Sequence, residues 1–262
     1  MRIVVLMKPV PDTAAGGERL GPDMRLDRAA VPAVVNANDE YALEAALKLT
    51  EALGGEVTLL SMAPASAPDT MRKALAMGAH HGVLVTDPVL EGSDTVSTTR
   101  VLAAALKTLE YDLAFAGADT SDGGAGVVGP GVAALLGLPL LSYAAKIEPD
   151  EAAGRVRVRR LSPTGYDVLE APMPALVVCT QALGEPRYPS LKGIMAARSK
   201  EIVTRSLSDV GVTPEEVGGA VAGTKVLEAT SPPARAATEV VREPADVAAE
   251  RVVAFLAARR II

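Results

Sequence analysis

Short runs rich in Val, Leu and Ile punctuate most of the chain, at residues 2–7, 57–61, 82–86, 112–116, 140–147 and 174–180, each bounded by Gly, Pro or Asp. Runs of that length and composition read as buried strands. Between them the apolar positions move to a spacing of three and four, as in Tyr41, Ala45, Leu49 and Leu53. That period predicts helices over Asn38–Leu53, Asp69–Met77, Thr95–Leu109 and Gly126–Leu136. Gly54-Gly55 ends the first of these, and Asp69 and Asp94 stand where N-caps belong. Regular alternation of strand and helix predicts an α/β fold, a doubly wound parallel sheet with helices on both faces.

Two segments depart from this rhythm. In Arg155-Val156-Arg157-Val158-Arg159 charge alternates with Val, which predicts a half-exposed strand forming a hairpin with Tyr166-Asp167-Val168-Leu169. Its arginines read as a solvated face. After Val217 the chain becomes rich in Ala, Gly, Thr and Pro, including Ser231-Pro232-Pro233, and regains a helical pattern over Ala245–Leu256. Domain boundaries of 1–217 and 218–262 follow, the second a linker with a terminal helix that needs a partner to pack on.

Composition agrees with this class. Hydrophobic residues make up 49% and aromatics 3%, with no Trp, so the core is built from Ala, Val and Leu. A net charge of −6 argues against a nucleic-acid partner. No apolar run has the length of a membrane span, and residues 1–7 read as a first strand rather than a signal sequence. The single Cys179 lies inside an apolar strand and reads as a buried, inert thiol. A reducing cytoplasm is the expected compartment. His80 and His81 are adjacent and so face apart, which indicates neither a metal pair nor a catalytic couple.

The candidate chemistry lies in Gly117-Ala118-Asp119-Thr120-Ser121-Asp122-Gly123-Gly124-Ala125-Gly126, which joins the strand at 112–116 to a helix of small residues. A strand, a Gly-rich turn and a helix start present free N–H groups and a positive dipole end to a phosphate. Small side chains admit the anion, while Thr120 and Ser121 add hydroxyls. The same glycines also suit a plain tight turn. No Lys-Ser or Lys-Thr pair closes the run, so it is not the loop of a P-loop hydrolase, and its glycine spacing is not a dinucleotide fingerprint.

Further segments sharpen this picture: Met7-Lys8-Pro9-Val10-Pro11-Asp12-Thr13, Val35-Asn36-Ala37-Asn38-Asp39-Glu40-Tyr41, Ala74-Leu75-Ala76-Met77-Gly78-Ala79 and Gly184-Glu185-Pro186-Arg187-Tyr188-Pro189-Ser190-Leu191-Lys192-Gly193-Ile194-Met195. With residues 117–130, and in this order, they resemble the electron transfer flavoprotein beta subunit over about residues 1–205. The resemblance implies a Rossmann-like fold of the adenine-nucleotide alpha-hydrolase-like type, paired with an alpha subunit that carries most of the redox FAD. It implies AMP in the beta pocket, with Thr120, Ser121, Asp122, Gly123, Gly124, Ala125, Gly126 and Val127 at the phosphate, Leu6, Asn36 and Met62 at strand ends that contact adenine and ribose, and Lys8, Gly117 and Asp119 as further cofactor-binding residues. It also implies a recognition loop at about 184–200, with Leu191 as anchor for partner dehydrogenases and Ile194 and Met195 behind it. Donors would be acyl-CoA or other dehydrogenases, the acceptor a quinone reductase or another protein, and the 218–262 arm would pack on the alpha subunit.

Gly92-Ser93-Asp94-Thr95-Val96-Ser97-Thr98 and Gly165-Tyr166-Asp167-Val168-Leu169-Glu170 look more like the Fix-type and electron-bifurcating branch. That branch implies a second FAD in place of AMP, with Asp94, Thr95 and Thr98 near its oxygens; the other use of Asp94 and Thr95 is to cap a helix. Two places depart from the family pattern. Arg160–Asp167 replaces an acidic Gly-Gly stretch, so no alpha-subunit contact passes to Leu161, and Asn36-Ala37-Asn38 lacks the aromatic that would face a flavin at 38. A competing function is an adenine-nucleotide sensor or ligase-like protein of the same fold. Against it, Lys8-Pro9-Val10-Pro11-Asp12-Thr13 has no glycine where such ligases bind pyrophosphate, and a sensor would give the arm and the Leu191 loop no task.

Overall fold

The computed structural model describes residues 1–15, 19–230, 238 and 240–262. Met1–Val226 forms one body and Leu227–Ile262 a second. The first body begins with β1 (Arg2–Leu6), a small pair β2 (Pro9–Pro11) and β3 (Ala33–Val35), α1 (Ala37–Leu53) and β4 (Glu56–Met62). It continues with α2 (Pro68–Met77), β5 (His81–Val85), α3 (Thr95–Lys107), β6 (Leu113–Gly117) and α4 (Val128–Leu136). After these come β7 (Leu140–Asp150), β8 (Arg155–Ser162), β9 (Gly165–Pro172), β10 (Ala175–Cys179), α5 (Leu191–Ala197) and β11 (Ile202–Arg205).

The strands form a nine-stranded sheet in the order β11-β5-β4-β1-β6-β10-β7-β8-β9. The first seven in that order are parallel, while β8 and β9 extend the sheet antiparallel. Alternation along β1 serves both faces, as the two-residue period of a strand requires. Ile3 and Val5 enter a core with Leu43 and Leu47 of α1 and Met71 and Leu75 of α2. Val4 and Leu6 enter the opposite core with Val101 and Leu106 of α3 and Val132 of α4. This is the doubly wound sheet that the alternation predicts.

The hairpin forms as expected: Val158 of β8 stands opposite Leu169 of β9. Val156 and Val158 are fully buried, whereas Arg155, Arg157 and Arg159 are exposed beside Glu170 and Tyr166. Cys179 is buried, and burial pushes its thiol well above the ordinary range, with the Asp39 carboxylate adding to the effect. Several local expectations are corrected. Asp69 does not cap α2, because the helix starts at Pro68 behind Ala67 and places Asp69 in its first turn. The α4 helix begins at Val128 rather than Gly126, whose left-handed φ of 63° keeps it in the loop. Three short strands, β2, β3 and β11, and the seven-residue α5 carry too few periods to be read from pattern alone.

In the second body, α6 (Ala245–Ala258) occupies the expected helical segment, and none of its residues is buried. The Ser231-Pro232-Pro233 part of the expected linker lies outside the described residues. Among the described residues no helix is long and apolar enough to cross a membrane.

Candidate functional site

Along the sheet, β1 is followed in sequence by strands on one side, and β6 is placed on its other side. The crevice beyond the carboxyl ends of β1 and β6 is therefore a switch point of the winding, where parallel sheets leave room for ligands. Lys8 follows β1 there, and residues 118–127 follow β6, which ends at Gly117. The start of α1 roofs the same place. Asn36, only 1% exposed, precedes α1 and makes no capping bond within it. Its amide is turned to the glycine loop instead: Nδ2 donates to the Asp119 carbonyl at 2.8 Å, and Oδ1 accepts the Ser121 N–H at 3.2 Å. One side chain thus satisfies both a donor and an acceptor of the loop and fixes its path.

Gly117 is needed where the loop leaves β6, since a Cβ there would collide with Asp39 and the Asn38 backbone. Farther on, the Gly124 N–H donates to the Thr120 carbonyl at 2.7 Å, closing a turn, and Gly124 and Gly126 hold left-handed φ of 55° and 63°. The N–H groups of Gly123, Ala125, Gly126 and Val127 have no acceptor among the described residues, and all four residues are exposed. They directly precede the N-terminus of α4, so free donors and the positive end of the helix dipole lie in the same short segment. Asp119 is turned away from this duty, its Oδ1 accepting from Asn38 Nδ2.

Charge is placed with equal economy. The Lys8 N–H donates to Asp39 Oδ2 at 2.8 Å, and the Lys8 ammonium reaches Asp122 at 2.8 Å. Burial pushes the Asp39 carboxyl up to about 7 despite the N–H groups of Lys8 and Gly117 that it accepts. Burial would raise Asp122 too, but Lys8 and Arg28 hold it far below the ordinary carboxylate range. Neither Asp39 nor Arg28 follows from a sequence pattern as a site residue. Asp39 was legible only as an acid in a helix first turn, and Arg28 carries no signal at all.

The other expected residues sit on the same rim at differing depths. Leu6 ends β1 with its side chain in the core, leaving only its backbone toward the crevice, and Met62 ends β4 half-buried. Asp94 caps α3, accepting the Ser97 N–H at 2.9 Å, and its second oxygen accepts the Gly223 N–H at 2.8 Å. Both carboxylate oxygens are therefore engaged within the chain. Thr95 and Thr98 are half-buried in the first turn of that helix. The ends of four adjacent strands, β5, β4, β1 and β6, thus supply one continuous rim.

Comparison with known proteins bears on this geometry. Residues 23–210 match the electron transfer flavoprotein domain. The chain is 40% identical to the electron transfer flavoprotein subunit beta of Mycobacterium leprae, with 99% of each chain covered. The chain belongs to the electron transfer flavoprotein family. A subunit beta from Clostridium acetobutylicum is 38% identical with 98% of each chain covered, and the protein FixA of Azorhizobium caulinodans is 42% identical over 81% of this chain and 77% of its own. These likenesses place the chain among the beta subunits of electron transfer flavoproteins and make electron transfer its function.

In this electron transfer flavoprotein chain the segment around α5 packs on α2. Ser190 caps α5 by accepting the Gly193 N–H at 3.0 Å, and Leu191, Met195 and Ile194 are 82%, 72% and 44% exposed. Tyr188 beside them is 95% exposed. The helix is seated on α2: Arg72 donates to the Ala197 carbonyl at 2.7 Å, and Lys200 donates to the Leu75 carbonyl in the last turn of α2 and to the Ala79 carbonyl just beyond it. Its approach is held by Arg187, whose guanidinium binds Glu44 and Glu51 of α1. Sequence reasoning missed this clamp, which joins residues far apart in the chain.

Proposed function

We propose that this beta subunit pairs with an alpha subunit, seats an adenosine phosphate on residues 117–127, and helps pass electrons from dehydrogenases to a further acceptor such as a quinone reductase. The observation that carries the reading is the set of exposed N–H groups at Gly123, Ala125, Gly126 and Val127 with no acceptor among the described residues, on a loop held in shape by Asn36 at the switch point. Bound FAD would supply the redox chemistry, and the protein supplies orientation and electrostatics. Within this chain, the loop N–H groups and the Lys8 ammonium would hold phosphate oxygens. Small side chains at Gly123, Gly124, Ala125 and Gly126 allow the backbone itself to approach the anion.

The phosphate seat suits the portion that AMP and FAD have in common. With both Asp94 oxygens engaged internally, the hydroxyls of Thr95 and Thr98 are what that segment has left for a larger ligand. This favours AMP over a second FAD. The exposed Leu191, Ile194 and Met195 form the patch proposed to meet a dehydrogenase, since a stiff apolar projection is the usual anchor of a transient complex. For the arm, Val252, Val253 and Phe255 of α6 are exposed and would pack on the alpha subunit.

Co-expression with the alpha subunit, denaturation of the purified complex and chromatography of the released nucleotides test this reading. One FAD with one AMP is the expected result. Two FAD would assign the bifurcating type of pocket, and a complex with no adenine nucleotide beyond the alpha-held FAD would overturn the seat.

A further inference from the structure

Residues 19–30 form a short strap with internal order. Leu20 bridges Leu26, the Gly21 N–H donates to the Arg25 carbonyl at 2.7 Å, and the Asp27 N–H donates to the Arg19 carbonyl at 2.8 Å. A left-handed Met24, φ 62°, makes the tip of this small hairpin. The strap touches the crevice at two places. The Arg25 guanidinium lies so close to Gly92 that a Cβ there would strike it, which places one end of the strap beside the 92–94 turn. At the other end Arg28 Nη2 donates to Asp122 Oδ2 at 2.5 Å.

Asp122 already receives the Lys8 ammonium through both of its oxygens, at 2.8 and 2.9 Å, and its side chain is wholly enclosed. Two cations therefore share the Asp122 carboxylate, so within this triad of Lys8, Arg28 and Asp122 one positive charge is left over. Neither cation is exhausted. Lys8 and Arg28 remain 37% and 46% exposed, and the remaining N–H groups of the Arg28 guanidinium have no acceptor among the described residues. The Lys8 ammonium lies 3.8 Å from where a Cβ would stand on Gly123, so the charged pair borders the N–H groups of the loop. A guanidinium has a planar fork of donors that matches two oxygens of one phosphate.

We propose that Arg28, carried by the 19–30 strap and aligned by Asp122, is a phosphate-binding residue that clamps the nucleotide against residues 117–127 and makes the pocket select adenosine phosphates over the bare nucleoside. This rests on the nucleotide reading above. Asp122 acts as a positioning residue: it holds the two cations side by side without their mutual repulsion. The strap thereby adds side-chain donors beside the backbone donors of the loop.

The test is calorimetric titration of the full chain, cleared of nucleotide on charcoal, with AMP, adenosine and FAD as separate probes. Wild type should bind AMP more tightly than adenosine, and Arg28→Gln should weaken AMP by roughly tenfold or more while leaving adenosine unchanged. Tighter AMP than FAD would mark a mononucleotide phosphate as the clamped group, and the reverse would mark the pyrophosphate of FAD. Arg28→Lys, which keeps the charge and little else, should recover part of the AMP affinity and guards against a folding defect in the first variant. Equal losses for AMP and adenosine, or an unchanged AMP affinity in Arg28→Gln, would overturn the clamp while leaving the nucleotide site standing. A wild-type chain that binds none of the three probes would overturn the site itself, and the clamp with it.

Discussion

Arg187 places both its backbone N–H, at 3.1 Å, and its side-chain Nε, at 2.8 Å, on the same carboxylate oxygen of Glu44, 143 residues earlier in the chain. Its Nη2 reaches the other Glu44 oxygen at 3.2 Å and also Glu51 at 3.0 Å. Asn36 and Asp39, at the start of the same α1, hold the glycine loop and Lys8. One helix therefore positions both the crevice and the approach to α5.

Replacing Glu44 by Ala should cost about 1–3 kcal/mol in urea unfolding, less than breaking a fully enclosed ion pair because Arg187 is one-third exposed. Burial would raise the Glu44 carboxyl, but the hydrogen bonds and charge of Arg187 outweigh it and lower it below the ordinary 4.5. A carboxyl held lower in the folded state stabilises the fold above its unfolded value and loses that contribution as pH falls. The stability gap between wild type and Glu44→Ala should accordingly narrow below pH 4.5.

Asp39 has the opposite sign. Its folded value of about 7 exceeds the unfolded 3.8, so its contribution is fullest below 3.8 and declines as pH rises toward 7. Asp39→Asn removes this titration and leaves an amide N–H facing a backbone N–H of Lys8 or Gly117, at a cost of about 1–3 kcal/mol. Urea midpoints at pH 5, 6 and 7.5 should show the variant's deficit shrinking as pH rises. A pH-independent deficit would show that the buried carboxyl does not titrate in this range.

Asn36→Ala removes the only side chain that both donates to and accepts from the glycine loop among the described residues. A loss of about 1–3 kcal/mol is expected. Faster hydrogen exchange confined to residues 118–127, together with weaker AMP binding, would locate the effect in the loop. Uniformly faster exchange across the sheet would instead mean that Asn36 supports the whole fold.

Leu191 and Gly193 separate docking from folding on one short helix. Leu191→Ala should leave stability within about 0.5 kcal/mol, because the side chain is exposed. On the docking role proposed for Leu191, electron transfer from a dehydrogenase should nevertheless slow by about tenfold or more, as expected for a hot-spot anchor. Stopped-flow reduction of the alpha-beta complex reads this directly.

Gly193→Ala is expected to do the reverse first. A Cβ there would collide with the Ala76 carbonyl, a backbone atom of α2 that has nowhere to go. Displacement of α5 should cost about 1–3 kcal/mol by urea unfolding. Docking should weaken as a consequence of that movement.

The sequence by itself determined the layered parts of this protein. The two-residue period along β1 and the three-and-four spacing along α1 are local signals, and they gave the doubly wound sheet, the β8–β9 hairpin and α6 correctly. The glycine loop was legible for the same reason, since its turn chemistry is written in consecutive residues. Asn36 was legible through resemblance, but its two bonds to the loop were not. The tertiary structure alone decided which charges meet: Arg28 with Asp122 across 94 residues, and Arg187 with Glu44 across 143. It also decided that Asp94 spends its oxygens on Ser97 and Gly223, and that α5 exists as a helix seated on α2. Backbone periodicity is set by neighbours in the chain, and so it survives in any local window. An ion pair depends on where two distant segments arrive once the sheet has closed its order, and no local pattern records that arrival.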